Sequence, residues 1–183
     1  MRNWLSALIF LMLAIAVVGC RPDYTKESQA VERMLSVLER TEQVSATIDP
    51  RLVQQYSKDV AEKCERIQAE LADTLALADA ELLVKFCGLR SHLEDCLTRK
   101  EAIDNEVVQT RKQLFNLNLD LKNGTAAKDS VATFIESEFL FVESLDEGTE
   151  QLIAELHACF ETYDELKDEI ERLLIALPNR SVD

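Results

Sequence analysis

The chain has 183 residues, with 20 Lys and Arg against 34 Asp and Glu, for a net charge of −14. That balance excludes nucleic-acid binding and charge-driven binding to anionic bilayers, both of which need cations in excess. Four Gly and three Pro are too few for the turns of a β-rich fold, while Leu, Ala, Glu, Lys, Arg and Gln dominate, so the composition predicts an all-α protein.

The first twenty residues have three parts: a short cationic start with Arg2, an apolar run from Leu5 to Val18, and the tetrad Val17-Val18-Gly19-Cys20. A membrane-spanning helix needs about 20 apolar residues, and the fourteen of this run fall short. A cysteine directly after a small residue and two branched apolar ones resembles the lipobox of bacterial lipoproteins. The resemblance covers residues 1–20 alone and names no family for the remainder. It implies removal of residues 1–19 as a signal peptide, diacylglycerol on the Cys20 thiol, and acylation of the new amino group by a chain such as palmitate. Several acyl chains on one residue hold a protein far more firmly than a single myristoyl group.

It also implies a cell-envelope location. In a cell with two membranes, Arg21 is not the Asp that resembles an inner-membrane retention signal, so the outer membrane, facing the periplasm, is expected. With one membrane, the outer face of the cell membrane is expected. Residues 1–19 hold one Arg and no acid, so their removal leaves 164 residues with 19 basic and 34 acidic side chains. That is one domain, whose bound lipid rather than its charge must hold it to the membrane.

Residues 20–24 make a lipid-bearing tether too short to float a domain far from a bilayer, and residues 25–178 form the helical body, with 179–183 as a tail. From Thr25 to Ala46, Val31, Met34, Leu35, Leu38 and Val44 mark one helix face. Asp49 caps the next helix and Pro50 sits in its first turn, where a missing amide hydrogen costs nothing. That helix runs to about Leu77, with Val53, Tyr56, Val60, Cys64, Ile67 and Leu71 inward. Asp79 offers a cap for a third helix, although an unbroken helix through this point fits the pattern too.

The third helix carries a heptad seam of Phe86, Leu89, Leu93, Cys96, Lys100, Ile103, Val107, Thr110, Leu114, Leu117 and Leu121, with Lys100 and Thr110 as polar intruders. Asn123-Gly124-Thr125 ends it, Asp129 or Ser130 starts the fourth helix, and Leu177 before Pro178 closes that. Leu152, Leu156, Cys159, Tyr163, Leu166, Ile170, Leu173 and Leu177 continue the same alternating steps. The expected architecture is an elongated antiparallel helical bundle or coiled coil of three to four long helices, a rod rather than a ball.

Cys64, Cys87, Cys96 and Cys159 are an even set in an exported chain, which predicts two disulfides. Residues facing across an antiparallel pair lie equally far from its turn, which favours Cys64–Cys87 with Cys96–Cys159; Cys64–Cys96 with Cys87–Cys159 fits nearly as well. Cys87–Cys96 requires Gly88 to break the third helix. Four buried free thiols are the plainer alternative.

No Cys-x-x-Cys pair supports zinc, and neither His92 nor His157 follows a Glu by three residues as a di-iron bundle requires. No phosphate loop, nucleophile elbow or calcium loop occurs, so neither enzyme activity nor a metal or other cofactor is expected. The acids of the last helix, Glu161, Asp164, Glu165, Asp168, Glu169 and Glu171, read as a solvated face, with a docking surface for a basic partner as the sharper alternative. Lys100 either snorkels out of its seam or sets helix register through an acid across the interface. Phe134, Ile135, Phe139, Leu140, Phe141 and Val142 cover more than one helix face; burial against the first or second helix accounts for this, and partner binding by Phe134, Phe139 and Phe141 is the alternative.

The expected function is that of a membrane-anchored, non-catalytic envelope lipoprotein, an interaction or structural module with an envelope protein as partner and self-association open. The alternatives are a pilotin-like or periplasmic chaperone role and a metal or small-ligand carrier.

Overall fold

The computed structural model describes residues 23–70 and 76–180, all helical apart from short links. The apolar run Leu5–Val18, the tetrad ending at Cys20, the tether residues Arg21 and Pro22, and the tail from 181 lie outside the described residues. Four α-helices follow in chain order: α1 Thr25–Ser45, α2 Pro50–Glu70, α3 Leu77–Asn123 and α4 Lys128–Arg180. The fold is an all-α antiparallel bundle, as the composition and heptads predict.

The two long helices have 47 and 53 residues, which at ~1.5 Å per residue makes rods of roughly 70 and 80 Å. They form a hairpin. At its turn Gly124 takes the left-handed conformation (φ 71°), and the Thr125 amide donates to the Asp120 carbonyl (2.9 Å), closing the last turn of α3. α1 and α2 both pack on α3 and α4 but not on each other, so they follow one another as a single broken rod beside the hairpin. Cross-helix pairs fix its direction: Ser28 with Asn118, Ser45 with Asp104 and Ser57 with Glu94 run antiparallel to α3, and Thr41 with Asp146 and Lys63 with Glu171 run parallel to α4. The break falls at Ala46–Asp49, where Asp49 Oδ1 accepts the Arg51 amide (2.9 Å), the cap expected of it.

Two boundaries differ from the sequence expectation. α3 starts at Leu77 after an extended Ala76 (φ −61°, ψ 147°), so Asp79 is not the cap; it lies within the first turn, where its charge favours the positive end of the helix dipole. The stretch 71–75, with the inward residue Leu71 and the end of the second helix, lies outside the described residues. α4 continues through Pro178 to Arg180 instead of stopping at Leu177, because a proline in the last turn removes only one amide donor with little helix left to disrupt.

The core runs along the seams in two stretches. Val31, Met34, Leu38, Val107, Leu114 and Leu121 pack near the α3–α4 turn, and Val53, Val60, Ile67, Phe86, Leu93, Leu152 and Ile170 pack at the other end. Between them lies a polar layer: Ser45 Oγ donates to Asp104 Oδ1 (2.6 Å), Lys100 Nζ to Asp104 Oδ2 (2.6 Å), and Thr41 Oγ1 to Asp146 Oδ1 (2.9 Å). Lys100 therefore neither snorkels free nor bonds directly across the interface. It pairs with an acid one turn along its own helix, and that acid makes the link to α1.

Gly88 lies inside α3 without breaking it, and a methyl group there would meet nothing within 4 Å. Gly88→Ala should therefore raise unfolding stability by about 0.5–1 kcal/mol, measured by urea denaturation, since it removes only backbone freedom of the unfolded chain.

Candidate functional site

Three places carry residues singled out in the sequence. At the turn end of the rod, the Tyr24 hydroxyl donates to the Ala126 carbonyl (2.9 Å), and the Asp23 carboxylate accepts from the amide (3.1 Å) and hydroxyl (2.6 Å) of Thr25. Those two hydrogen bonds hold the Asp23 carboxyl below its usual range. The start of α1 is thereby pinned against the α3–α4 turn. Cys20 precedes Tyr24 by four residues, a reach of at most roughly 14 Å at ~3.5 Å per residue.

The cysteines form the second place. Cys64 of α2 and Cys87 of α3 are joined by a disulfide, with Cα atoms 5.9 Å apart. The bond ties the two helices across the stretch 71–75, and a loop of 23 residues corresponds to about 3 kcal/mol in the chain-entropy model. Cys96 and Cys159 differ from the expectation: both are free thiols. Seam positions equally far from the α3–α4 turn bring them to one groove between α3 and α4, of about 540 Å³, but equal height does not by itself supply the bond. Burial, and then the neighbouring Cys159 and Glu155, raise the Cys96 pKa to about 11, and burial followed by the Glu155 charge raises that of Cys159. The thiolate is the species that attacks a disulfide, so both thiols are poorly reactive near neutral pH.

His92 and Glu155 line this groove, and Glu155 is paired with Arg99. His92 stands one turn from Cys96, yet the thiol is shifted away from the activated state a cysteine nucleophile needs. Among the described residues, no three His, Cys, Asp or Glu side chains are grouped so as to hold a metal ion.

The third place is the start of α4. Val142 is buried and Ile135 half-buried, but Phe134, Phe139, Leu140 and Phe141 are 39, 49, 62 and 39% exposed. Burial against α1 or α2, the simpler expectation, holds for Val142 and in part for Ile135, which pack in one cluster with Val31, Met34 and Leu38, but not for the other four. Those helices occupy one side of the α3–α4 hairpin, and the apolar run on α4 extends past the contact. Beside Phe134 and Phe141, Glu138 occupies the core seam with Oε2 buried and without a hydrogen-bond partner, and burial raises its pKa.

Sequence reasoning missed an aromatic cluster at the far end of the rod. Tyr56 packs on Phe160 (4.7 Å between centroids) and Tyr163 (4.6 Å), and Tyr163 bonds Asp59. Burial alone would lower the Lys63 pKa, but its hydrogen bond and charge pairing with Asp59, and its contact with Tyr163, hold it above the usual value. The signal was present as aromatics at seam positions of two predicted helices, but which helices are neighbours is not encoded in periodicity. The acids of α4 after Glu161 are mostly exposed, with pairs such as Lys63–Glu171 and Lys167–Asp164 along their edge.

Two outcomes follow. Unfolding without reductant should make Cys96 and Cys159 labelable, as assigned by peptide mapping, while Cys64 and Cys87 stay blocked; in the native protein both free thiols should label slowly. A raised pKa for Glu138 means the folded protein holds that proton more tightly than the unfolded chain, so its contribution to stability is lost as pH rises through the folded value. Glu138→Leu should thus stabilise by about 1 kcal/mol at pH 7, with the gain shrinking toward pH 4, as read by denaturation at each pH.

No protein-family model, curated protein or solved structure matches this chain.

Proposed function

We propose that the protein is a lipid-anchored, non-catalytic lipoprotein of the bacterial cell envelope, a helical rod held to a membrane through Cys20 and serving as an interaction or structural module. The observation that carries this reading is the lipobox-like tetrad Val17-Val18-Gly19-Cys20 at the end of a fourteen-residue apolar run. The pinning of Tyr24 to the α3–α4 turn supports it, because acyl chains on Cys20 would then hold the rod by one defined end. No described helix is long and apolar enough to cross a membrane, so the proposed attachment rests on the lipid. The proposed partner is another envelope protein, and in a cell with two membranes the proposed place is the periplasmic face of the outer membrane.

Metabolic labelling with an alkyne fatty acid tests the anchor. The wild-type chain should take up label and fractionate with membranes, and Cys20→Ala should lose the label and appear in soluble fractions. Membrane retention of an unlabelled Cys20→Ala chain would overturn the reading.

A further inference from the structure

The first half of α4 carries two seams. One, through Val131, Ile135, Glu138, Val142, Leu145 and Thr149, faces the core. The other runs through Ser130, Phe134, Ser137, Phe141, Ser144 and Gly148 in the same alternating steps of four and three, and apart from the half-buried Gly148 it is exposed. Asp146 and Phe160, which meet α1 and α2, lie on one flank of the core seam, and the second seam lies on the other. It is therefore on the open side of the α3–α4 hairpin.

This second seam extends about 27 Å at ~1.5 Å per residue without a charged side chain, in a protein that is 30% charged. Its serines are internally satisfied: Ser130 Oγ donates to the Ala127 carbonyl (3.3 Å), Ser137 Oγ to Phe134 (2.8 Å) and Ser144 Oγ to Phe141 (2.8 Å). Covering the strip with an apolar surface therefore orphans none of these hydroxyl donors. A seam of this spacing is shaped to receive another helix.

The strip is also self-complementary. Its spacing reads the same in both directions, and Ser and Phe alternate from Ser130 to Ser144, with Gly148 after them. An antiparallel copy centred at residue 139 sets Phe134 against Ser144, Phe141 against Ser137, and Ser130 against Gly148. A parallel copy would set Phe on Phe and leave gaps between the serines. A net charge of −14 on each chain opposes association, and this uncharged strip is where two copies meet with least repulsion.

We propose that α4 of a second copy occupies this seam antiparallel to the first, forming a two-fold symmetric dimer in which each phenylalanine fills the space above a serine. The proposal stands apart from the lipid on Cys20.

The test is sedimentation equilibrium of the full-length processed protein in density-matched nonionic detergent. The wild-type chain should dimerise reversibly. Ser137→Phe alone and Phe141→Ser alone should each weaken the dimer by about tenfold or more, and the double swap Ser137→Phe/Phe141→Ser, which restores large against small only in the antiparallel register, should recover most of that loss. Ser137→Glu, at an exposed position, should dissociate the dimer with helicity by circular dichroism unchanged. A monomeric wild type, a double swap no tighter than the single variants, or occupation of the seam by a different protein would each overturn the proposal.

Discussion

The reversal of α3 into α4 governs the whole rod. Gly124 supplies the left-handed residue that lets the chain turn within a few residues, and the Thr125–Asp120 hydrogen bond closes the helix end. Once that turn sets the register, a heptad repeat carries it along the pair: Val107 and Leu145 share the near core, while Cys96 and Cys159 share a groove farther out. The first rod then lies along one side of a hairpin already fixed. Tyr24 closes on Ala126 at one end, and the Cys64–Cys87 disulfide closes on α3 near the other. A slip of one turn at Gly124 would misplace every one of these contacts.

The polar layer around Asp104 and Asp146 explains why the core is divided. A continuous apolar seam would tolerate sliding, because each leucine can exchange one neighbour for the next. Shifting α1 by a turn would instead take the buried Ser45 hydroxyl away from Asp104, and a buried donor without a partner costs about 1–3 kcal/mol. The layer coincides with the break between α1 and α2, so the same residues that end one helix also fix its position. Lys100, only 12% exposed, is held there through Asp104, which satisfies an ammonium otherwise costly to bury.

Charge is distributed unevenly along the rod. The turn end, residues 23–33 and 111–141, holds seven acidic and six basic side chains, whereas the rest of the described residues, 34–70, 76–110 and 142–180, hold twenty-five acidic and twelve basic. A balanced end next to the chain start and an acidic opposite end is the arrangement with least repulsion between a lipid-held rod and an anionic surface, on the anchored reading. Apolar side chains stand exposed at both ends of the rod, Phe134, Phe139, Leu140 and Phe141 near the turn and Leu77, Val84 and Ile175 at the other end. Among the acids at the turn end, Glu138 sits on the core seam with Oε2 buried and without a hydrogen-bond partner.

How much of this was legible in the sequence depends on the range of the interaction involved. Local rules gave the helices themselves: scarce Gly and Pro, alternating apolar steps, Asp49-Pro50 at one break and Asn123-Gly124 at another are signals that act within a turn of the chain. Equal distance from a turn placed Cys64 near Cys87, and Cys96 in the same groove as Cys159, because a hairpin converts sequence separation into height. Height is not contact, and the tertiary structure alone decided that the first pair is bonded and the second is not. It also decided which side of the hairpin α1 and α2 cover, and hence that Phe134, Phe139 and Phe141 remain exposed. A helical repeat states which residues share a face but not which neighbour covers it, and that choice is made by packing between segments distant in the chain.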